Sequence, residues 1–192
     1  MGTPREIKAV VIPDTATDYN DVLNYLETIK FNVLVIPGIA DADTTTVATW
    51  VKSMRDTKER KIIAVLPDEV ADHEGVVNFV VEDGTDTAGT VKVGSSTYTA
   101  SQYTARIAGL IAGLPLTVAP TYQVLPEVDD VPHLTKSDAD EKIDDGKFIL
   151  YHDGEKVKVA RGVTSLVTTT ETKGADWKKI KLVRILDMIY TD

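Results

Sequence analysis

Cysteine is missing from the 192 residues, which removes disulfides, thiolate metal sites and a thiol nucleophile from consideration and is compatible with assembly inside a cell. Histidine is scarce: His73 lies in ADHEG, His133 follows Pro132, and His152 precedes the turn pair Asp153-Gly154. None of these settings suggests a nucleophile partner. No G-x-S-x-G is present, and Ser95-Ser96 falls in a turn, so no catalytic residue is expected. Neither G-x-G-x-x-G nor G-x-x-x-x-G-K-[ST] occurs, and no cofactor-binding residue is expected either. Asp72-His73-Glu74 and the acids Asp83 and Asp86 lack the ligand set of a calcium loop; they read as solvated loop residues, with no metal site. No apolar run approaches the roughly 20 residues of a spanning helix, so membrane insertion is not expected. Basic residues number 21 against 30 acidic, a net charge of -9 that argues against nucleic acid as partner.

What is present is organised around residues 101–128, SQYTARIAGLIAGLPLTVAPTYQVLPEV. Ser101 is expected to cap a helix in which Tyr103, Ile107, Leu110, Ile111 and Leu114 form one apolar face. Ala105, Gly109 and Gly113 fall at four-residue spacing on another face. Helix-interior glycine costs about 0.5–1 kcal/mol against alanine, so the spacing predicts a close neighbour that offsets the loss. Pro115 and Pro120 then hold the chain extended.

Taken in order, residues 7–12 (IKAVVI) read as a buried strand, and Thr17 or Asp18 as the cap of a helix carrying Tyr19, Val22, Leu23, Leu26 and Ile29. A strand at 32–36 follows. Asp43 or Thr44 is expected to cap the next helix, with Val47, Trp50, Val51 and Met54 inward, before strands at 61–66 and 76–81. This alternation indicates βαβ units and a largely parallel sheet flanked by helices. Residues 82–89 (EDGTDTAG) form a turn, and 90–93 with 97–99 a short hairpin. The acidic connector 127–134 (EVDDVPHL) is the best candidate boundary, dividing an α/β body, residues 1–128, from a smaller α+β module, residues 129–192. In that module Ser137 and Asp140 suggest a helix cap, Gly146 its end, Asp153-Gly154 a hairpin, 163–170 a threonine-rich strand, and 177–190 a short strand passing into a helix. Glu127, Asp129, Asp130 and the run Asp138, Asp140, Glu141, Asp144, Asp145 read as a solvated face, or as a surface meeting Lys178, Lys179 and Lys181 of an adjacent copy.

Four ordered blocks together resemble the contractile tail sheath protein of long-tailed phages, prophages and phage-like particles: residues 103–128, residues 134–162 (LTKSDADEKIDDGKFILYHDGEKVKVARG), the threonine-rich 163–172, and 174–189 (GADWKKIKLVRILDMI). The resemblance implies a subtilisin-like sheath body followed by the start of the sheath C-terminal domain. It implies a structural, non-enzymatic, cofactor-free role in the virion tail, assembled in the host cytoplasm. The implied partners are other sheath subunits, joined through strand-exchanging terminal arms, the tail tube and the baseplate. The opening MGTPREIK predicts an excised fragment, and the isolated chain is then expected to be monomeric or a small oligomer. The alternative is an α/β ligand-binding or enzymatic domain with an appended β-rich module.

Overall fold

The computed structural model describes residues 3–12 and 19–191. In chain order the elements are α1 (Asn20–Leu26), β1 (Val33–Val35), α2 (Asp41–Asp56), β2 (Ile63–Pro67), β3 (Val76–Val80), β4 (Val91–Val93), β5 (Ser96–Tyr98), α3 (Ala100–Gly113), α4 (Lys136–Asp144), β6 (Lys147–His152), β7 (Val157–Val159), a 3-10 turn at Ala175–Lys178, and α5 (Ile180–Thr191). Five strands form one sheet in the order β1-β2-β3-β6-β7, parallel except for the final hairpin pair. The remaining two make the expected hairpin of β4 with β5.

Every residue of β2 and β3 is buried, because helices cover both faces of the sheet; continuous runs such as VVNFV are what a doubly covered parallel strand requires. Val65, Val77, Phe79, Phe148 and Leu150 face α3, where Phe79 and Phe148 meet edge to face at 6.2 Å. Ala64, Leu66 and Val76 face α1 and α2, while Val80 and Ile149 face α4. The five apolar positions expected on α3 are all buried. Strands from both sides of the 128/129 division share this sheet, since β6 pairs with β3.

Several local expectations are corrected. Residues 7–12 form no strand and pair in no ladder among the described residues, with Ile7 82% and Val11 87% exposed. β propensity is expressed only against a partner, and none lies alongside. Thr17 and Asp18 fall outside the described residues. Helix α2 starts at Asp41, placing Asp41 and Asp43 in its first turn, where the positive end of the helix dipole favours carboxylates; Thr44 donates to the Asp41 carbonyl instead of capping. Helix α3 is capped by Thr99, not Ser101, in a reciprocal box with Gln102, and the Ser101 hydroxyl donates to the Ile39 carbonyl. Helix α4 is capped by Thr135 with Asp138, two residues ahead of the expected Ser137 and Asp140. Gly146 follows its end with φ +75°, as a helix stop requires.

Gly109 has no close neighbour, since a Cβ added there would meet no atom within 4 Å. Small-residue spacing marks a face that can be approached, and here nothing in the chain approaches it. The threonine-rich segment is no strand; apart from one bridge between Val163 and Lys179 it makes single hydrogen bonds, among them Ser165 N to the Val76 carbonyl at 2.7 Å. The strand entry expected at 177 reduces to that bridge, and the 3-10 turn leads directly into α5.

Candidate functional site

The densest polar cluster gathers at the carboxyl end of α2. Arg55 lies eight residues after Val47, on the helix's inward stripe, and is only 1% exposed. A buried guanidinium must be neutralised and hydrogen-bonded. Its Nε faces Glu74 at 3.4 Å, Nη1 donates to the Ile62 carbonyl at 2.9 Å, and the two terminal nitrogens meet the Asp187 carboxylate of α5 at 2.7 and 2.8 Å. Burial opposes the charge on Arg55, but Asp187 and Glu74 together raise its pKa above the ordinary value.

Glu74, 3% exposed, also takes Lys173 at 2.9 Å, and Lys173 reaches Asp56 at 3.4 Å. The His73 ring completes the group, with Nε2 3.1 Å from Asp56 and 3.5 Å from Glu74. Burial lowers the His73 pKa, more than Glu74 and Asp56 raise it. For Glu74 burial works upward, yet the neighbouring His73, Lys173 and Arg55 leave it below its usual range, and Asp56 is likewise held low against its burial by His73 and Lys173. The reading of Asp72-His73-Glu74 as solvated loop residues therefore fails for His73 and Glu74, which are buried. Asp72 holds the threonine-rich segment, accepting from Val167 N at 2.6 Å and Thr168 N at 2.9 Å.

Asp56, His73 and Glu74 place one donor atom each within 4.8 Å of one another, close enough for a cation. Two features oppose one. The ammonium of Lys173 already occupies the position between the carboxylates, and Gly75 N donates to His73 Nδ1 at 3.0 Å, which leaves the ring proton on Nε2, the atom a metal would need. The same group makes no triad: Ser165 bonds only the main chain of His73, accepting from its N at 3.2 Å and donating to its O at 3.0 Å. Ser95 and Ser96 lie in the β4–β5 hairpin, away from any histidine contact.

A second cluster absorbs the other loop acids. Lys142 of α4 is buried, donating to Glu82 at 2.7 Å and Asp86 at 2.6 Å, and Lys147 joins Glu82 at 2.6 Å. Hydrogen bonding by Lys142, with the charge of Lys147, brings the Asp86 pKa down to about 2. Asp83 accepts from Thr85 and Thr87 in a local turn. Both clusters join segments distant in sequence, and sequence reasoning missed Arg55, Asp56, Lys173 and Asp187 in the first and Lys142 and Lys147 in the second; for Arg55 its place on the apolar stripe was the available signal. Glu127 accepts from Arg106 at 2.6 Å and from Tyr103 at 3.1 Å, Asp129 accepts from Gly94 N, and Asp130 contacts His133. Asp140, Glu141, Asp144 and Asp145 lie exposed along α4.

The comparisons with known proteins agree with one another. The family model described as phage tail sheath protein central domain matches residues 14–165. The chain is 38% identical over 175 residues to the tail sheath protein of Clostridium phage phiCD119, covering 90% of this chain and 46% of that protein. It is 31% identical over 185 residues to the phage-like element PBSX protein XkdK of Bacillus subtilis, covering 92% and 37%. The chain thus spans less than half the length of these relatives. Among solved structures, the sheath tail proteins of Desulfitobacterium hafniense and Listeria innocua each align with a TM-score of 0.81 over 91% of this chain, at 30% and 28% identity, and over 41% and 39% of their own lengths.

Proposed function

The chain belongs to the phage tail sheath protein family, matching its central domain, and we propose that it supplies the α/β body of a structural subunit of a contractile tail sheath. In this reading, copies of the longer protein form a helical cylinder around the tail tube, above a baseplate, and contraction drives the tube through a cell envelope. The subunit resides in the virion tail after assembly in the host cytoplasm. The work is stored as a difference between two packings of the same subunits, so no cofactor, metal or chemical step is required. The observation that carries the reading is the alignment of nearly the whole chain with two sheath tail proteins at a TM-score of 0.81. The polar clusters support it too, because their cations and carboxylates are spent on one another and tie loops to helices. Residues 1–128 would form the subtilisin-like body and residues 129–192 the start of the next module, which contributes β6 and β7 to the shared sheet.

The test is a chimera in which residues 14–165 replace the matching segment of the phiCD119 tail sheath protein, viewed by negative-stain electron microscopy beside its parent. Regular tubes from both are expected. A folded chimera that stays monomeric while the parent polymerises would overturn the assignment. The 192-residue chain alone should sediment as a monomer or small oligomer.

A further inference from the structure

Two kinds of contact hold α5. Its start is fixed by apolar burial, with Ile180 and Val183 enclosed in the core cluster shared with α3. Beyond Val183 the character changes: Leu186, Met188, Ile189 and Tyr190 are exposed, Ile189 to 66%, and among the described residues none after Val183 belongs to an apolar cluster. Apart from the half-buried Ile185, polar contacts bind this half to the body. Arg184 donates to the Leu114 carbonyl at 2.8 Å, the Lys61 ammonium stands 4.7 Å from the Tyr190 ring centre, and Asp187 takes the Arg55 guanidinium at 2.7 and 2.8 Å.

The Arg55 pair is built so that one partner can leave. Glu74 lies on the inner side, 3% exposed, and Asp187 on the outer side, with its side chain 13% exposed. Breaking a buried ion pair is strongly destabilising when it strands an uncompensated charge. Here departure of Asp187 leaves the Arg55 charge compensated by Glu74 and Nη1 on the Ile62 carbonyl, while Nη2, whose partner was Asp187, is opened to the same water that Asp187 enters. We propose that the Arg55–Asp187 pair is a latch, whose release lets the second half of α5 open locally while Ile180 and Val183 keep its start anchored and the body stays folded. Opening this half also frees Arg184 from the Leu114 carbonyl and Tyr190 from Lys61, so its two states differ by these polar ties together with the hydration of the Asp187 carboxylate. The latch does not depend on the sheath assignment.

Hydrogen–deuterium exchange on the 192-residue chain tests it. In Asp187→Asn the amides of residues 184–191 should exchange about tenfold faster or more, with those of α2 and β2 unchanged. Glu74→Gln should do the reverse: Arg55 then depends on Asp187, so 184–191 exchange no faster while α2 and β2 lose protection. Unchanged α5 exchange in Asp187→Asn would show that the pair holds nothing. Loss of protection throughout the body, or failure of that variant to fold, would make the pair a core strut, and α5 opening in Glu74→Gln would remove the asymmetry on which the latch rests.

Discussion

Replacing Gly146 with alanine should be among the costly single-methyl changes this fold can suffer. Gly146 has φ +75°, and a Cβ there would lie 2.9 Å from the Ser165 carbonyl oxygen and 3.1 Å from Val167 Cγ2. That carbonyl cannot withdraw easily, because Ser165 is pinned through its N to Val76 and through its hydroxyl to the main chain of His73. The left-handed backbone costs an L residue roughly 1–2 kcal/mol. Overpacking against a fixed neighbour adds about 1–3 kcal/mol. A matched control exists in Gly38, with φ +74° and nothing within 4 Å of an added Cβ. Gly38→Ala should therefore show the backbone cost alone, and both variants share the same small gain from a stiffer unfolded chain. Urea unfolding followed by circular dichroism would read the difference as a lower midpoint for Gly146→Ala, by about 1–3 kcal/mol at equal m-value. Equal midpoints for the two variants would refute the claim that the Ser165 crossing is rigid.

Gly109→Ala should stabilise α3 by about 0.5–1 kcal/mol, since its Cβ enters open space; a loss in the same urea assay would reveal a contact on that face. Burial holds the His73 pKa below its ordinary value, so as pH falls past about 6.5 the unfolded chain takes up the proton first. The urea midpoint should be highest above that pH, fall on acidification through the folded-state pKa, and fall further below about pH 4 as Asp56 and Glu74, also held low, are protonated. His73→Gln should flatten the upper part of that decline, and an unaltered profile would contradict the assignment. Ser165→Ala removes a hydroxyl that serves both main-chain groups of His73 and should cost about 1–3 kcal/mol; an unchanged midpoint would mean that water replaces it.

The parts of the fold legible in the sequence were those in which local pattern and tertiary role coincide. The runs at 61–66 and 76–81 are apolar at nearly every position because both faces are covered, and the Asp153-Gly154 turn joins two strands that pair antiparallel with each other. The failures have a common cause: the partner was invisible. Residues 7–12 carry strand chemistry without a ladder, Gly109 carries close-packing chemistry without a neighbour, and 163–170 carries β-branched residues but touches the sheet only where Ser165 meets Val76 and Gly146, at the starts of β3 and β6. The polar cluster was hidden for the opposite reason. Arg55, His73, Glu74, Lys173 and Asp187 come from four separate segments, and only the folded chain shows that their charges compensate one another.

The segment after α3 runs along the outer side of β7: Tyr122 N and Val159 N exchange bonds with Val159 O and Gln123 O, and Leu125 N reaches Val157 O. The outer side of β7 is therefore covered by the chain's own backbone. β1, three residues long, has a single ladder neighbour, β2, among the described residues. Among the described residues the free ladder side of β1 is therefore a place where a further ribbon can pair. Two bodies meeting edge to edge through β1 would each fill the ladder side that the other leaves without a partner among the described residues.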